Sequence, residues 1–234
     1  MTALDISAGR LAIALGNGEK DELSTLLQHP AAQRSARAVL VLAHGAGADL
    51  KHRTMSAIAA ALANVNIATL RCNFPFKEHG RNRVDDVATS VATLCAAVSM
   101  AMRELPATPV LLGGHSFGGR MASHAAAQAQ APQVRGLIYF AFPLHAADKP
   151  AVTRAAHLKQ IDTPMLFLSG TRDALASAAL LAREVAALGD CAQLHWLHDA
   201  DHSYATRQRQ RVGRPDVFAE MGSTVAAWLD HIAL

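Results

Sequence analysis

The chain has 234 residues, of which 51% are hydrophobic and 18% are charged. This composition is too apolar for a disordered chain, and the length predicts one globular domain over residues 1–234. The 22 lysine and arginine residues exceed the 19 aspartate and glutamate residues only slightly, giving a formal charge of +3. The chain therefore lacks the dense positive charge expected of a nucleic-acid-binding protein.

The cysteines and the hydrophobic pattern give information on the cellular location of the protein. Cys72, Cys95 and Cys191 are odd in number and far apart, which predicts neither a disulfide framework nor a cysteine metal site. The segment Met1–Arg10 has an aspartate where a signal peptide has positive charge. No apolar run approaches the ~18 residues of a membrane span. We expect a cytoplasmic protein that does not bind membranes.

Short apolar runs alternate along the chain with longer segments of helical periodicity. The predicted strands are Leu11–Leu15, Ala38–Ala43, Asn66–Leu70, Val110–Gly113, Leu137–Phe142, Met165–Ser169 and Gln193–Leu197. The predicted helices are Met55–Ala63, Val84–Leu105, Arg120–Gln130, Leu175–Leu188 and Val217–Ile232. Most of these strands are apolar on both faces, which is typical of parallel strands covered by helices, whereas the first is predicted as an antiparallel edge strand.

This alternation predicts an α/β fold, a three-layer α/β/α sandwich around a mostly parallel sheet. The connection from Phe142 to Thr163 has room for at most one short helix. It is therefore too short to form a substantial cap domain.

A G-x-S-x-G motif follows the predicted strand Val110–Gly113 and precedes a helical segment. It reads Gly114-His115-Ser116-Phe117-Gly118, and this strand–turn–helix context is typical of a nucleophile elbow. Glycines two residues either side of the serine avoid collisions with the neighbouring strand and helix. The motif predicts Ser116 as a nucleophile and the amide of Phe117 as an oxyanion donor.

A second glycine motif, His44-Gly45-Ala46-Gly47, ends the predicted strand Ala38–Ala43. A loop at this position supplies the other oxyanion donor when a nucleophile elbow follows later in the chain. We expect the amide of Ala46 to be that donor, with Gly47 as the next choice. An ordinary turn at the end of a strand is the alternative.

A nucleophilic serine needs a histidine base and a carboxylate that orients the base. The chain order serine, acid, histidine excludes His44, His52, His79 and His115 and favours His202, which follows the last predicted strand. The histidines at 145, 157, 195, 198 and 231 are weaker candidates.

Asp173 follows the strand Met165–Ser169 and is the preferred acid. A role limited to capping the helix after it, or replacement by Asp148 as the acid, are the alternatives. Asp199 and Asp201 are too near His202 in sequence for easy triad geometry and are expected to shape its turn.

These residues together resemble the α/β-hydrolase fold family, and within it the small, cap-less, dienelactone-hydrolase-like branch. The resemblance lies in HGAG at 44–47, Arg71-Cys72-Asn73-Phe74-Pro75, GGHSFGGRMAS at 113–123 and the late pair Asp173 and His202, and it covers nearly the whole chain. True dienelactone hydrolases have a cysteine nucleophile where this chain has Ser116, so the resemblance implies the fold and the triad but not lactone specificity. The branch also includes relatives of a non-catalytic chromatin-complex subunit.

Three further features concern substrate and partners. Arg71 and Asn73 border the predicted site, but a packed loop around Phe74 and Pro75 is the favoured interpretation. The basic segment Arg207–Arg214 lacks interleaved aromatic residues and is predicted to be a solvated loop. The phenylalanines expected to line a modest apolar pocket are Phe74, Phe76, Phe117 and Phe142.

The sequence therefore predicts a serine hydrolase that cleaves small carboxylic esters or thioesters through an acyl-enzyme. No cofactor, no metal ion and no nucleic acid is expected. The second hypothesis is a hydrolase scaffold retained as a binding module, since a fold alone does not determine function.

Overall fold

A computed structural model describes residues 5–14, 18, 20–30 and 35–234. In this part of the chain the strands are β1 (Ile6–Ala14), β2 (Lys20–Gln28), β3 (Ala38–Ala43), β4 (Ile67–Cys72), β5 (Val110–His115), β6 (Gly136–Phe140), β7 (Met165–Gly170) and β8 (Ala192–Leu197). The helices are α1 (Arg53–Ala63), α2 (Pro75–Glu78), α3 (Val87–Glu104), α4 (Phe117–Ala127), α5 (Ala178–Ala186) and α6 (Val217–His231). A 3₁₀ helix spans Thr153–Gln160, and shorter ones span Gly189–Cys191 and Gln208–Gln210.

The strands form one eight-stranded sheet in the order β1-β2-β4-β3-β5-β6-β7-β8. Strands β3 to β8 pair in parallel, whereas β1 pairs with β2 and β2 pairs with β4 in the antiparallel sense. The predicted α/β fold with a mostly parallel sheet is confirmed. The carboxyl ends of the parallel strands lie at one edge of the sheet, where α/β proteins place their binding sites.

Two hydrophobic cores cover the two faces of the sheet. Strand β3 contributes Val39 and Val41 to one core and Leu40 and Leu42 to the other. Helices α3, α4 and α5 pack on the first face, and α1 and α6 pack on the second. A strand covered on both faces has no polar alternation, which is why β3 appears as a continuous apolar run in the sequence.

The antiparallel edge is larger than the sequence predicted. The predicted strand Leu11–Leu15 corresponds to β1, which begins at Ile6; Leu15 lies outside the described residues. The sequence of strand β2, KDELSTLLQ, begins with three charged residues and alternates polar and apolar residues only partly, so it has no clear strand pattern. It becomes a strand because β1 pairs with it along its whole length, from Ile6 opposite Gln28 to Ala14 opposite Lys20.

The predicted helix Leu175–Leu188 begins later than expected, at Ala178. The residues just before α5 form hydrogen bonds with side chains of the neighbouring loops. The N–H of Leu175 donates to the Asp173 carboxylate at 2.8 Å, and the N–H of Ser177 donates to Nε2 of His145 at 2.9 Å. These bonds replace a first helical turn.

The connection from Phe142 to Thr163 contains the 3₁₀ helix Thr153–Gln160 and no longer helix. The expectation that this connection is too short for a cap domain is confirmed.

Candidate active site

Ser116 lies on a sharp turn between the end of β5 and the start of α4. Its backbone angles are φ 53° and ψ −114°, and its N–H donates to the carbonyl of Phe140 at 2.9 Å. A positive φ is unfavourable for a residue with a side chain, and such strain persists only where the surrounding structure enforces it. Strand β6 and helix α4 together hold Ser116 in this conformation at the carboxyl edge of the sheet.

The glycines of the motif allow the elbow to pack against strand β3. A Cβ added at Gly114 or at Gly118 would lie 2.5 Å from the carbonyl oxygen of Ala43. Side chains at these two positions would therefore push the elbow away from the sheet. The collisions expected from the motif are present in the structure.

Ser116, His202 and Asp173 form a continuous hydrogen-bonded chain. Nε2 of His202 lies 2.8 Å from Oγ of Ser116, and Nδ1 of His202 lies 2.9 Å and 2.8 Å from the two carboxylate oxygens of Asp173. Asp173 is only 7% exposed. A serine and a buried carboxylate on opposite nitrogens of one imidazole can activate the hydroxyl and stabilise the imidazolium that forms.

The alternatives for Asp173 find no support in the geometry. The N-cap of α5 is Ser177, so Asp173 does not cap that helix. Asp148 is an exposed residue on the loop after β6. The carboxylate that contacts Nδ1 of His202 is that of Asp173.

The turn that carries His202 is fixed from both sides. Oδ1 of Asp201 accepts the N–H groups of Ser203 and Ala205 at 2.9 and 3.0 Å, and Asp199 accepts the backbone N–H of Arg207 at 2.7 Å. Asp199 and Asp201 thus shape the turn, as the sequence predicted. Neither bonds the imidazole of His202 among the described contacts.

His115, next to Ser116, has a role that the sequence did not reveal. Its Nε2 donates to the carbonyl oxygen of His202 at 2.8 Å, and the two imidazole rings lie 5.2 Å apart. Burial lowers the pKa of His115 to about 4, so its ring is neutral at neutral pH. The bond ties the histidine turn directly to the elbow. No sequence signal points to it, because it joins residues 87 positions apart.

The loop after β3 carries the two exposed residues Ala46 and Gly47. Within the described part of the chain, neither the N–H of Ala46 nor that of Phe117 donates a hydrogen bond to another group. His44 supports this loop: its Nδ1 bonds the carbonyl of Gly45 at 2.9 Å, and its Nε2 accepts the N–H of Phe74 at 3.0 Å. Burial lowers the pKa of His44 to about 4, which keeps Nε2 available as an acceptor.

The end of strand β4 holds the same loop through Leu50. The N–H of Leu50 donates to Oδ1 of Asn73 at 3.0 Å, and its carbonyl accepts Nη1 of Arg71 at 3.0 Å. Arg71 is only 2% exposed and also bonds the hydroxyl of Ser56. These contacts favour packing over substrate contact for Arg71 and Asn73.

The aromatic pocket expected from the sequence is wrong for three of its four members. Phe74, Phe76 and Phe142 are at most 1% exposed. Phe74 packs edge-on against His44 and Phe117. These rings stabilise the loops instead of facing a ligand, because each is covered by parts of the chain distant in sequence. Of the four, only Phe117 is partly exposed.

The expected solvated loop Arg207–Arg214 is also partly wrong. Arg211 is 7% exposed and donates to the carbonyl of His198 and to the carboxylate of Glu220 at 2.7 and 2.6 Å. Arg207 pairs with Asp199, while Arg209 and Arg214 are exposed. The acidic partners lie outside this run of arginines, so the fold neutralises Arg207 and Arg211 in the basic segment.

Two features are absent from the part of the chain that the structure describes. There, no group of three or more histidine, cysteine, aspartate or glutamate side chains is arranged to hold a metal ion. In the same residues, no helix is both long enough and apolar enough to cross a bilayer.

The fold is similar to several solved structures at low sequence identity. A dienelactone hydrolase from Anabaena variabilis is 19% identical with a TM-score of 0.73, over 97% of this chain and 98% of that one. An alpha-beta serine hydrolase homologue from Coxiella burnetii is 19% identical with a TM-score of 0.71, over 94% and 97% of the two chains. A serine hydrolase without a lid from Xanthomonas campestris is 16% identical with a TM-score of 0.69, over 96% and 94%.

Residues 36–230 match the model of a protein family described as an alpha/beta hydrolase domain. This range includes β3 to β8 and all the residues of the hydrogen-bonded chain at the elbow. The chain therefore belongs to the alpha/beta hydrolase domain family.

Proposed function

We propose that this protein is a serine hydrolase that cleaves small carboxylic esters or thioesters through an acyl-enzyme intermediate. The observation that carries the proposal is the hydrogen-bonded chain from Ser116 Oγ through His202 to Asp173. Two backbone amides without a hydrogen bond among the described contacts support it: that of Ala46, on the loop after β3, and that of Phe117, the first residue of α4.

In the first step, Oγ of Ser116 attacks the carbonyl carbon and its proton passes to Nε2 of His202. The carbonyl oxygen becomes an oxyanion, which the N–H groups of Ala46 and Phe117 stabilise. The tetrahedral intermediate then collapses, and the departing alcohol or thiol takes the proton from Nε2. Ser116 is left as an ester of the acyl group.

In the second step, water repeats the attack with His202 as its base. The acyl–oxygen bond to Ser116 breaks, the carboxylic acid leaves, and the proton returns to Oγ. Asp173 holds the imidazole so that Nε2 faces the serine, and it stabilises the imidazolium in both steps. His115 and Asp201 act as positioning residues, because they fix the turn that carries His202.

The proposal also covers the domain organisation, the partners and the cellular location of the protein. Residues 1–234 act as one hydrolase domain on a small molecule, without nucleic acid or membrane. The three cysteines are free thiols, and they support a cytoplasmic location.

A fluorophosphonate probe tests the proposal against the alternative of a non-catalytic scaffold. The probe phosphonylates an activated serine, with fluoride as the leaving group. We expect stoichiometric labelling of Ser116 by mass spectrometry and loss of both labelling and p-nitrophenyl acetate hydrolysis in Ser116→Ala.

The matched control is Ser203→Ala, which removes an exposed hydroxyl next to His202 and should label like the parent. A folded parent that does not label, or a Ser116→Ala protein with full esterase activity, would refute the proposed function.

A further inference from the structure

Four basic side chains gather between helix α4 and the 3₁₀ helix Thr153–Gln160. Arg120 and His124 lie on successive turns of α4, and Arg154 and His157 lie on the 3₁₀ helix. The rings of His124 and His157 are stacked, with centroids 3.9 Å apart and planes inclined by 13°. Nε2 of His157 also lies 2.7 Å from the buried hydroxyl of Ser123. We call these four residues the basic cluster.

The two guanidinium groups of the basic cluster have no acidic partner. Among the described residues, neither Arg120 nor Arg154 forms an ion pair. Nε of Arg120 and Nε2 of His124 are buried without a hydrogen-bond partner. This contrasts with Arg207 and Arg211, which are neutralised by carboxylates.

The environment opposes additional positive charge in the basic cluster. Burial, and then repulsion from Arg154, lowers the pKa of Arg120; burial, and then His124 and Arg120, lowers the pKa of His157 to about 4. At neutral pH the cluster therefore has two positive charges, on Arg120 and Arg154, and two neutral imidazoles. Half-buried cations without a counter-ion are costly, and an anion that joins them relieves the repulsion.

The basic cluster lies beside the candidate active site. The N–H of Arg120 donates to the carbonyl of Ser116 at 3.1 Å, so Arg120 is one turn beyond the nucleophile. Side chains on a helix lean toward its N-terminus, which here is the end that carries Ser116.

Arg154 is joined to the loop that carries the acid. Its Nη1 donates to the carbonyl of His145 at 3.0 Å, and Nε2 of His145 accepts the N–H of Ser177 at 2.9 Å. Ser177 lies four residues after Asp173. The basic cluster is thus linked to the elbow helix through Arg120 and to the acid loop through Arg154 and His145.

From this arrangement we propose that Arg120 and Arg154 bind an oxyanion group, a carboxylate or a phosphate, on the ester that Ser116 attacks. The inference rests on the proposed hydrolase function and specifies its substrate class as anionic esters. Guanidinium groups suit both oxyanions, since their planar N–H donors match the spacing of two oxygen acceptors. The Nη1 and Nη2 groups of Arg120 form no hydrogen bond among the described contacts and are not among the buried unpartnered atoms, so they are the donors that the oxyanion would meet.

Two esters of equal length test the proposal. The p-nitrophenyl esters of pentanoate and of glutarate differ only at the far end of the acyl chain, which is a methyl group in one and a carboxylate in the other. We expect the ratio of kcat/KM, glutarate over pentanoate, to fall by about tenfold or more in Arg120→Gln and in Arg154→Gln, because each loses a charge-assisted hydrogen bond. In the parent, added salt should lower the ratio.

Two further variants separate charge from packing. Arg120→Lys keeps the charge and should retain part of the ratio, which a purely packing role would not explain. Arg135→Gln removes an exposed arginine just before β6, at the opposite end of the parallel strands, and should leave the ratio as in the parent. Arg154→Gln keeps the test available if Arg120→Gln does not fold.

The outcomes distinguish this inference from the proposed function. If Ser116→Ala abolishes turnover of both esters but neither glutamine variant changes the ratio, the inference is overturned and the hydrolase function stands. If Ser116→Ala retains turnover, calorimetric titration of the parent and of Arg120→Gln with glutarate and with inorganic phosphate tests the basic cluster by itself. Weaker binding of either anion to the variant supports the site and shows which oxyanion it prefers, whereas equal binding or no binding overturns it.

Discussion

Replacement of Asp173 by asparagine tests the acid of the proposed triad. The substitution keeps the size of the side chain but removes the negative charge that lies 2.8 Å from Nδ1 of His202. It also offers an amide NH₂ group, which favours the imidazole tautomer that cannot accept a proton from Ser116.

The expected loss follows from the geometry. With charge centres about 4 Å apart and an effective dielectric constant near 20, the carboxylate stabilises the imidazolium by about 4 kcal/mol. Each ~1.4 kcal/mol corresponds to a tenfold change in rate, so this term alone is about a thousandfold. The wrong tautomer adds to it, and we expect kcat to fall by about 10³- to 10⁴-fold.

The assay is kcat for p-nitrophenyl acetate, with circular dichroism to show that the variant is folded. The matched control is Asp148→Asn, which makes the same chemical change at the other candidate acid. Asp148 is exposed and has φ 58°, a conformation that asparagine tolerates, so kcat should stay within about twofold of the parent. A folded Asp173→Asn protein that keeps more than about a tenth of the parent kcat would contradict the assigned role.

Three other predictions concern the elbow, the histidines and the acyl group. Gly118→Ala places a methyl group 2.5 Å from the carbonyl oxygen of Ala43 and should lower the free energy of urea unfolding by about 1–3 kcal/mol. The control Gly189→Ala has open space around the new methyl group but φ 62°, so it reports the cost of backbone strain without a clash. Equal losses in the two variants would argue against the clash. Burial lowers the pKa of His44 from its usual 6.5 to about 4, so the unfolded chain binds the extra proton between these values and stability falls as the pH drops. From pH 7.5 to 5, His44 should contribute about 2 kcal/mol to this loss, in addition to the contributions of His115 and His157, whose pKa burial also lowers to about 4. The loss should be smaller by about that amount in His44→Gln, and a variant with the same pH slope as the parent would refute this cause. Because the connection Phe142–Thr163 forms no cap, kcat/KM should not rise steadily with acyl length beyond short chains. A steady rise into long chains would contradict this prediction.

Features governed by local sterics were predictable from the sequence. A serine flanked by glycines at both second neighbours, after an apolar run, indicates a strained turn whatever the rest of the chain does. The order of Ser116, Asp173 and His202 then limits the base and the acid to residues after later strands. Continuous apolar runs such as Ala38–Ala43 likewise indicate strands buried on both faces.

Features that depend on distant partners were not predictable in this way. Strand β2 has a polar sequence and exists because β1 pairs with it. Arg211 belongs to a basic run in the sequence but is buried against Glu220. Phe74 is predicted from the sequence to face a ligand, but in the structure the ring of Phe117 and the imidazole of His44 pack against it.

The sequence by itself determined the sheet-and-helix alternation, the elbow and the choice of Ser116 and His202 as candidates. Only the tertiary structure brings Asp173, and not Asp148, to Nδ1 of His202, and only it brings Arg120 near Arg154 across 34 positions of sequence. The physical reason is the separation in sequence over which each kind of interaction acts. Backbone strain and hydrophobic periodicity act between near neighbours and leave a pattern in the chain, whereas hydrogen bonds and charge contacts act through space between segments whose proximity the fold creates.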